Sequence, residues 1–170
     1  MINITRFIGR FTVLLSMLLA VSTVHADAKE DTARAETAIR TGDLIVAMGL
    51  LRQAVKTGYA PAQARLADLL DAAEQDAEAV ALYRLAAAQN DPAGETGLAR
   101  MLAQGDGVAR DIVQALTLYR RAADKNHAPA LDALARAHRA GELGLPRDLV
   151  EAARLEQRAK TLVEQARSAR

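Results

Sequence analysis

The chain has 170 residues, 51% of them hydrophobic and 25% charged, a balance that excludes a disordered polar tail. Only 3% are aromatic and none is cysteine, so an apolar content made mostly of alanine and leucine excludes a β-sandwich rich in valine and tyrosine, and no disulfide can staple the fold. The formal net charge of +1 becomes −1 without the first 26 residues, as Lys and Arg fall from 22 to 20 against 21 Asp and Glu; the basic stripe of a nucleic-acid binder is excluded with it.

At the N-terminus, Arg6 and Arg10 precede an apolar run from Phe11 to Val24 that ends in Val24-His25-Ala26. This is the layout of a secretory signal peptide, and cleavage after Ala26 is expected to leave residues 27–170 as one repeat domain in the periplasm or outside the cell. The other reading is a retained membrane anchor, since Phe7 to Val24 is 18 residues interrupted by glycine, threonine and serines, at the short limit for a span.

Beyond that segment, apolar residues recur with helical spacing over 29–41, 43–57, 61–73, 76–89, 93–104, 111–124, 129–140 and 147–166. Internal repetition groups them. KTGYAPAQARLADLL from Lys56, AAQNDPAGETGLARML from Ala87 and DKNHAPALDALARAH from Asp124 align so that Leu66, Leu98 and Leu134 correspond, at offsets of 32 and 36 residues. AEAVALYRLAAAQN from Ala77 matches VQALTLYRRAADKN from Val113, with Tyr83 facing Tyr119, and LVEAARLEQRAKTL from Leu149 follows. DLIVAMGLLRQAVKTG from Asp43 reads as an earlier copy. Eight helices then make about four hairpins, which stack because none can bury its apolar stripe alone; the fold class is all-α, an α/α superhelix.

The turns fit. Gly105 follows a helix where a residue of positive φ is wanted, Gly107 lets the chain reverse, and Asp111 caps the next helix. The later unit repeats the arrangement with Gly141, Gly144 and Asp148. A phosphate-cradling loop is not expected, because no strand precedes the glycines. Alanines at 86, 87, 122 and 123 let helices approach closely.

Chemistry is sparse. His25 lies in the presumed leader, His127 occupies the turn site held by Tyr59 and Asp91 in other units, and His138 replaces the apolar site of Leu70 and Leu102. His138 is therefore expected to be partly buried and to titrate near neutral pH. The spacing of His127 and His138 offers no helical metal pair, and Ser16, Ser22 and Ser168 stand where no base could activate them. The run Asp68, Asp71, Glu74, Asp76 and Glu78 reads as a solvated helix end rather than an acid/base pair. No metal and no cofactor are expected.

From Ala99 to Ala123 the residues Gly105, Gly107, Val108, Asp111, Ala115, Tyr119, Ala122 and Ala123 resemble the Sel-one-like repeat, a relative of the tetratricopeptide repeat. The resemblance covers about residues 43–163. The fourth unit departs from it, with Leu145 near the valine site, Glu156 at the tyrosine site and Lys160 at the second alanine, and the second unit has DAAEQDAEA in place of the glycine turn. The resemblance implies a right-handed superhelix used mostly as an adaptor or scaffold, with the first helix of each unit lining a concave face. Some exported members rich in cysteine bind or hydrolyse β-lactams, and a chain without cysteine does not look like that branch.

On that implied face three rows fall in register: Asp68, Arg100 and Arg136; Asp71, Ala103 and Arg139; Gln63, Glu95 and Leu131. The expected partner groove comprises Gln63, Asp68, Asp71, Glu95, Arg100, Asp132, Arg136 and Arg139. Its occupant is expected to be a protein or peptide segment of the cell envelope, with no nucleic acid and no membrane once the leader is removed. Arg100→Glu together with Arg136→Glu is expected to weaken capture without unfolding the chain. The alternative function, a hydrolase acting on cell-envelope material, requires a clustered catalytic set that these residues do not supply.

Overall fold

The structure, a computed structural model, describes residues 26–168, so the expected leader lies outside the described residues except for Ala26. All described elements are helical, and they divide into two compact units, one ending at Ala62 and one beginning at Gln63. No helix among the described residues is long and apolar enough to cross a membrane.

The first unit contains α1 (26–41) and α2 (Leu44–Lys56). Small residues form its core, with Ala28, Ala35 and Ala47 almost fully enclosed beside Leu51. The chain reverses at Gly42, and the Asp43 carboxylate accepts the Val46 N–H at 3.1 Å, satisfying one of the donors that a helix start leaves without partner. The helix α1 begins three residues before the expected position.

Next come α3 (Ala60–Ala72), whose first turn carries the boundary between units, and α4 (Asp76–Ala88), α5 (Pro92–Gln104), α6 (Ile112–Asp124), α7 (Ala128–Ala140) and α8 (Leu149–Ser168). Each of α4 to α7 packs on the next, so neighbours in sequence are neighbours in space. Leu66, Leu98 and Leu134 are buried alike, which bears out the alignment that made them equivalent. Burying one such leucine is worth roughly 1.5–3 kcal/mol. Ala86, Ala87, Ala122 and Ala123 are buried as well, where large side chains would separate the helices.

Local chemistry sets the helix ends. Asp91 accepts the Gly94 N–H at 2.8 Å and Asp111 the Gln114 N–H at 2.9 Å; Asp148 accepts from both Val150 and Glu151. Gly105 closes α5 at φ 88°. Gly107, at φ 62°, does more than reverse the chain: a Cβ there would meet the Asp76 backbone, so the loop after α5 rests on the start of α4. The corresponding turn after α3 lacks a glycine, and Glu74 takes the left-handed conformation instead, at φ 59°.

Candidate functional site

Tyr83 of α4 is fully buried, and its ring lies where a Cβ on Gly97 of α5 would stand. Its hydroxyl donates to Asp68 Oδ1 of α3 at 2.8 Å and accepts from Arg100 Nη2 of α5 at 3.3 Å. Arg100 in turn grips both oxygens of Asp71, at 3.1 and 2.7 Å, a two-pronged pairing that the flat guanidinium favours. Arg65 completes the group by donating to Asp68 at 3.2 Å. Burial first, and then the Asp68 charge, push the Tyr83 hydroxyl well above its ordinary range, so it stays protonated as the donor.

One repeat further along, the same positions are filled differently. Tyr119 of α6 stands at the place of Tyr83, Arg100 at that of Asp68, Arg136 of α7 at that of Arg100, and Ala103 at that of Asp71. Burial again pushes the tyrosine hydroxyl up, while Arg100 and Arg136 beside it pull the other way. Where Gly97 leaves room for Tyr83, Ala133 presents a methyl group, and Tyr119 and Ala133 line an open cleft of about 340 Å³. Asp68, Thr96, Arg100, His127 and Arg136 are also on its walls. A second hollow of about 260 Å³ shares Arg100, Tyr119, Ala133 and Arg136 and leads on to Ala103 and Glu142. Together they make one continuous groove across α5, α6 and α7.

His127 caps the start of α7 without a side-chain bond to it. Its Nδ1 lies 2.8 Å from the Thr96 hydroxyl, which gives its proton to the Pro92 carbonyl at 2.7 Å; the hydroxyl oxygen is thus left to accept from the imidazole. Burial lowers the His127 pKa, against an opposing pull from Asp91, Asp68 and Glu95. His138 is half-buried, and its Nδ1 is enclosed without a hydrogen-bond partner among the described residues.

Of the expected groove residues, Asp68, Arg100 and Arg136 line the cleft together, with Asp71 behind them in the grip of Arg100. The other four stand elsewhere. Gln63 and Glu95 are buried rather than open to a groove. Glu95 has no exposed surface and is held by Arg121 of α6 at 2.6 Å and by Lys125, which caps the end of α6, at 2.7 Å; Gln63 accepts from Gln89 at 2.8 Å in the equivalent place. That register row points at the second helix of its own repeat. Arg139 is tied to Glu156 of α8 at 2.6 Å, and Asp132 lines a separate hollow with Glu156, Lys160 and Glu164. The sequence does not mark Tyr119, Thr96 and His127 as cleft walls, although Tyr119 is one of the residues that carry the repeat. The first unit has its own hollow of about 520 Å³ between α1 and α2, without a comparable convergence of charged groups and tyrosine.

The Sel1 repeat model matches residues 60–91, 92–127 and 128–162. The three matched segments coincide with the helix pairs α3/α4, α5/α6 and α7/α8, and the copy read from Asp43 lies before them. No curated protein matches the chain. Among solved structures, a Sel1 repeat protein from Klebsiella pneumoniae superposes with a TM-score of 0.71 at 26% identity, over 82% of this chain and 71% of that one. A Sel1 repeat protein from Oxalobacter formigenes gives 0.67 at 25% identity, over 80% of this chain and 59% of that one. A protective antigen of uropathogenic Escherichia coli with an SLR fold gives 0.65 at 24% identity, over 82% of this chain but 34% of the other. The chain thus spans a good deal less than the full length of two of these three.

Proposed function

From the premise that this chain belongs to the Sel1 repeat family, we propose that it is an exported, non-catalytic adaptor that holds a protein or peptide segment of the cell envelope in the groove across α5, α6 and α7. Sel1 repeats are generally scaffolds for protein interactions. The observation that carries the reading is the cleft of about 340 Å³ in which Asp68, Arg100 and Arg136, distant in sequence, line one wall system with Tyr119. A concave surface with a few fixed polar groups suits an extended segment, which such a groove can grip through shape and scattered polar contacts. Export rests on the charged start, apolar run and small-residue exit of residues 1–26; N-terminal sequencing of the mature protein from a periplasmic fraction tests it, with Asp27 as the expected first residue.

The groove is tested by Arg136→Glu. Arg136 is exposed and makes no ion pair among the described residues, so its reversal leaves the fold intact. Arg100→Glu is unsuitable, because it would set a carboxylate against Asp71 and the Tyr83–Asp68 pair; the double change expected to spare the fold would damage it. Pull-down from periplasmic extract should recover clearly less partner with the folded Arg136→Glu protein. Undiminished recovery removes the groove from the function.

A further inference from the structure

The two successive tyrosine sites differ in their acids. At Tyr83 the group is closed: Asp68 takes the hydroxyl, Asp71 takes Arg100, and Arg65 takes the remaining Asp68 oxygen. At Tyr119 both acidic positions have changed, to Arg100 and Ala103, while the cation of the following repeat is kept as Arg136. Arg136 consequently lacks the carboxylate that its counterpart Arg100 grips, and the Tyr119 hydroxyl has no hydrogen-bond partner among the described residues. The space where that carboxylate would sit is open, since Ala103, Arg136 and Tyr119 all line the same hollow. Glu142 stands exposed at its edge without an ion pair to either arginine. Asp68, the other acid on the cleft wall, is already engaged by Arg65 and Tyr83.

We propose that the groove binds an acidic side chain of a peptide between Arg136 and Tyr119, the partner's carboxylate taking the place that Asp71 fills one repeat earlier. The proposal rests on the groove reading above and makes it specific: the occupant is an extended segment bearing Asp or Glu, and charge complementarity selects it. One cation, Arg136, and a hydroxyl donor meet there with no acid among the described residues bonded to either, and Arg100 is already held by Asp71; an ionised acceptor bonded by a guanidinium makes a stronger hydrogen bond than a neutral one.

The test uses the mature chain and two amidated, N-acetylated heptapeptides of alanine, one with a central glutamate and one with a central glutamine. Binding is followed by the guanidinium Nε–H signal of Arg136, assigned by its loss in Arg136→Lys, and by the backbone amides of α5 and α7. The glutamate peptide should shift the Arg136 signal saturably, and the glutamine peptide should bind roughly tenfold to a hundredfold more weakly, the weight of one hydrogen bond to a charged group. Ala103→Asp should abolish the response, because the restored internal carboxylate would occupy Arg136 as Asp71 occupies Arg100. Arg139→Gln, changing a residue tied to α8, should leave it unaltered. Equal binding of the two peptides, no response to either, or an Ala103→Asp protein that binds as well as the parent overturns the proposal. Equal shifts in the α5 and α7 amides with both peptides would overturn it while leaving the groove standing. Loss of the groove itself is read separately, from undiminished partner capture by Arg136→Glu.

Discussion

Glu95 is a carboxylate with no exposed surface, held by Arg121 and Lys125, whose side chains keep 45% and 35% of theirs. The arrangement is lopsided: removing the acid leaves two cations that water can reach, whereas removing the cations leaves a charge sealed in the protein. Arg121→Met with Lys125→Met is therefore predicted to destabilise by about 3–5 kcal/mol, and Glu95→Leu by distinctly less, in urea melts of the two variants. The same position holds Gln63 one repeat earlier and a fully buried Leu131 one repeat later, so the site accepts an amide, an acid or a hydrocarbon provided its opposite number matches. Helical spacing shows which residues share a row but not whether the row meets a groove or the adjoining helix. The clue was available elsewhere: Gln63 pairs with Gln89 and Glu95 with Lys125, so both members change character together. His127 gives a second prediction at this scale. Its pKa is lowered in the fold, so the unfolded chain binds the extra proton first as pH falls from neutral. The melting temperature should hold above about pH 6.5, the ordinary histidine value, and drop below it. His127→Asn should flatten that part of the profile, since asparagine carries no such proton and can cap α7 much as Asp91 caps α5. An unchanged acid slope in this variant would place the titration elsewhere.

Between residue and fold, the helices are governed by where they can come close. In α5, Gly97 faces the Tyr83 ring. An ordinary Gly→Ala change inside a helix gains up to about 1 kcal/mol, but at Gly97 the added methyl would occupy the ring's place. Gly97→Ala is predicted to lose roughly 1–3 kcal/mol through overpacking. Gly49→Ala in α2, where nothing lies within 4 Å of the new carbon, should instead gain about 0.5–1 kcal/mol. Thermal melts of the pair should move in opposite directions, and a shared sign would contradict the close packing of α4 on α5. The helices themselves were readable because their caps are written locally, in Asp91, Asp111 and Gly105. The Tyr83 to Arg100 to Asp71 chain was not, because it crosses three helices and depends on a rotamer fixed by the missing side chain at Gly97.

At the scale of the whole molecule, the fold was legible because the chain describes it repeatedly: three segments with leucine in register, two of them sharing the glycine turn and two the tyrosine, leave few arrangements open. The site was only partly legible, since function resides where the copies disagree, and a disagreement has meaning only after the contacts of each copy are known. Leu98 belongs to the shared part. Leu98→Ala is predicted to cost about 2–5 kcal/mol and to lower the melting temperature clearly, as a buried leucine replaced by alanine does. An unaffected melt would mean that Leu98 does not support the packing of α5. Arg136, by contrast, belongs to the part that differs, and its effect is expected on capture rather than on stability.

Arg121 of α6 reaches back to Asn90 at 2.9 Å, and Arg158 of α8 reaches back in the same way to Asn126 at 2.6 Å. Identical latches at two successive seams make the middle cassette, residues 92–127, interchangeable in principle with a duplicate of itself. Splicing a second cassette in tandem would offer each new seam an asparagine and an arginine already in place, so that the array could grow by gene duplication without any freshly invented junction.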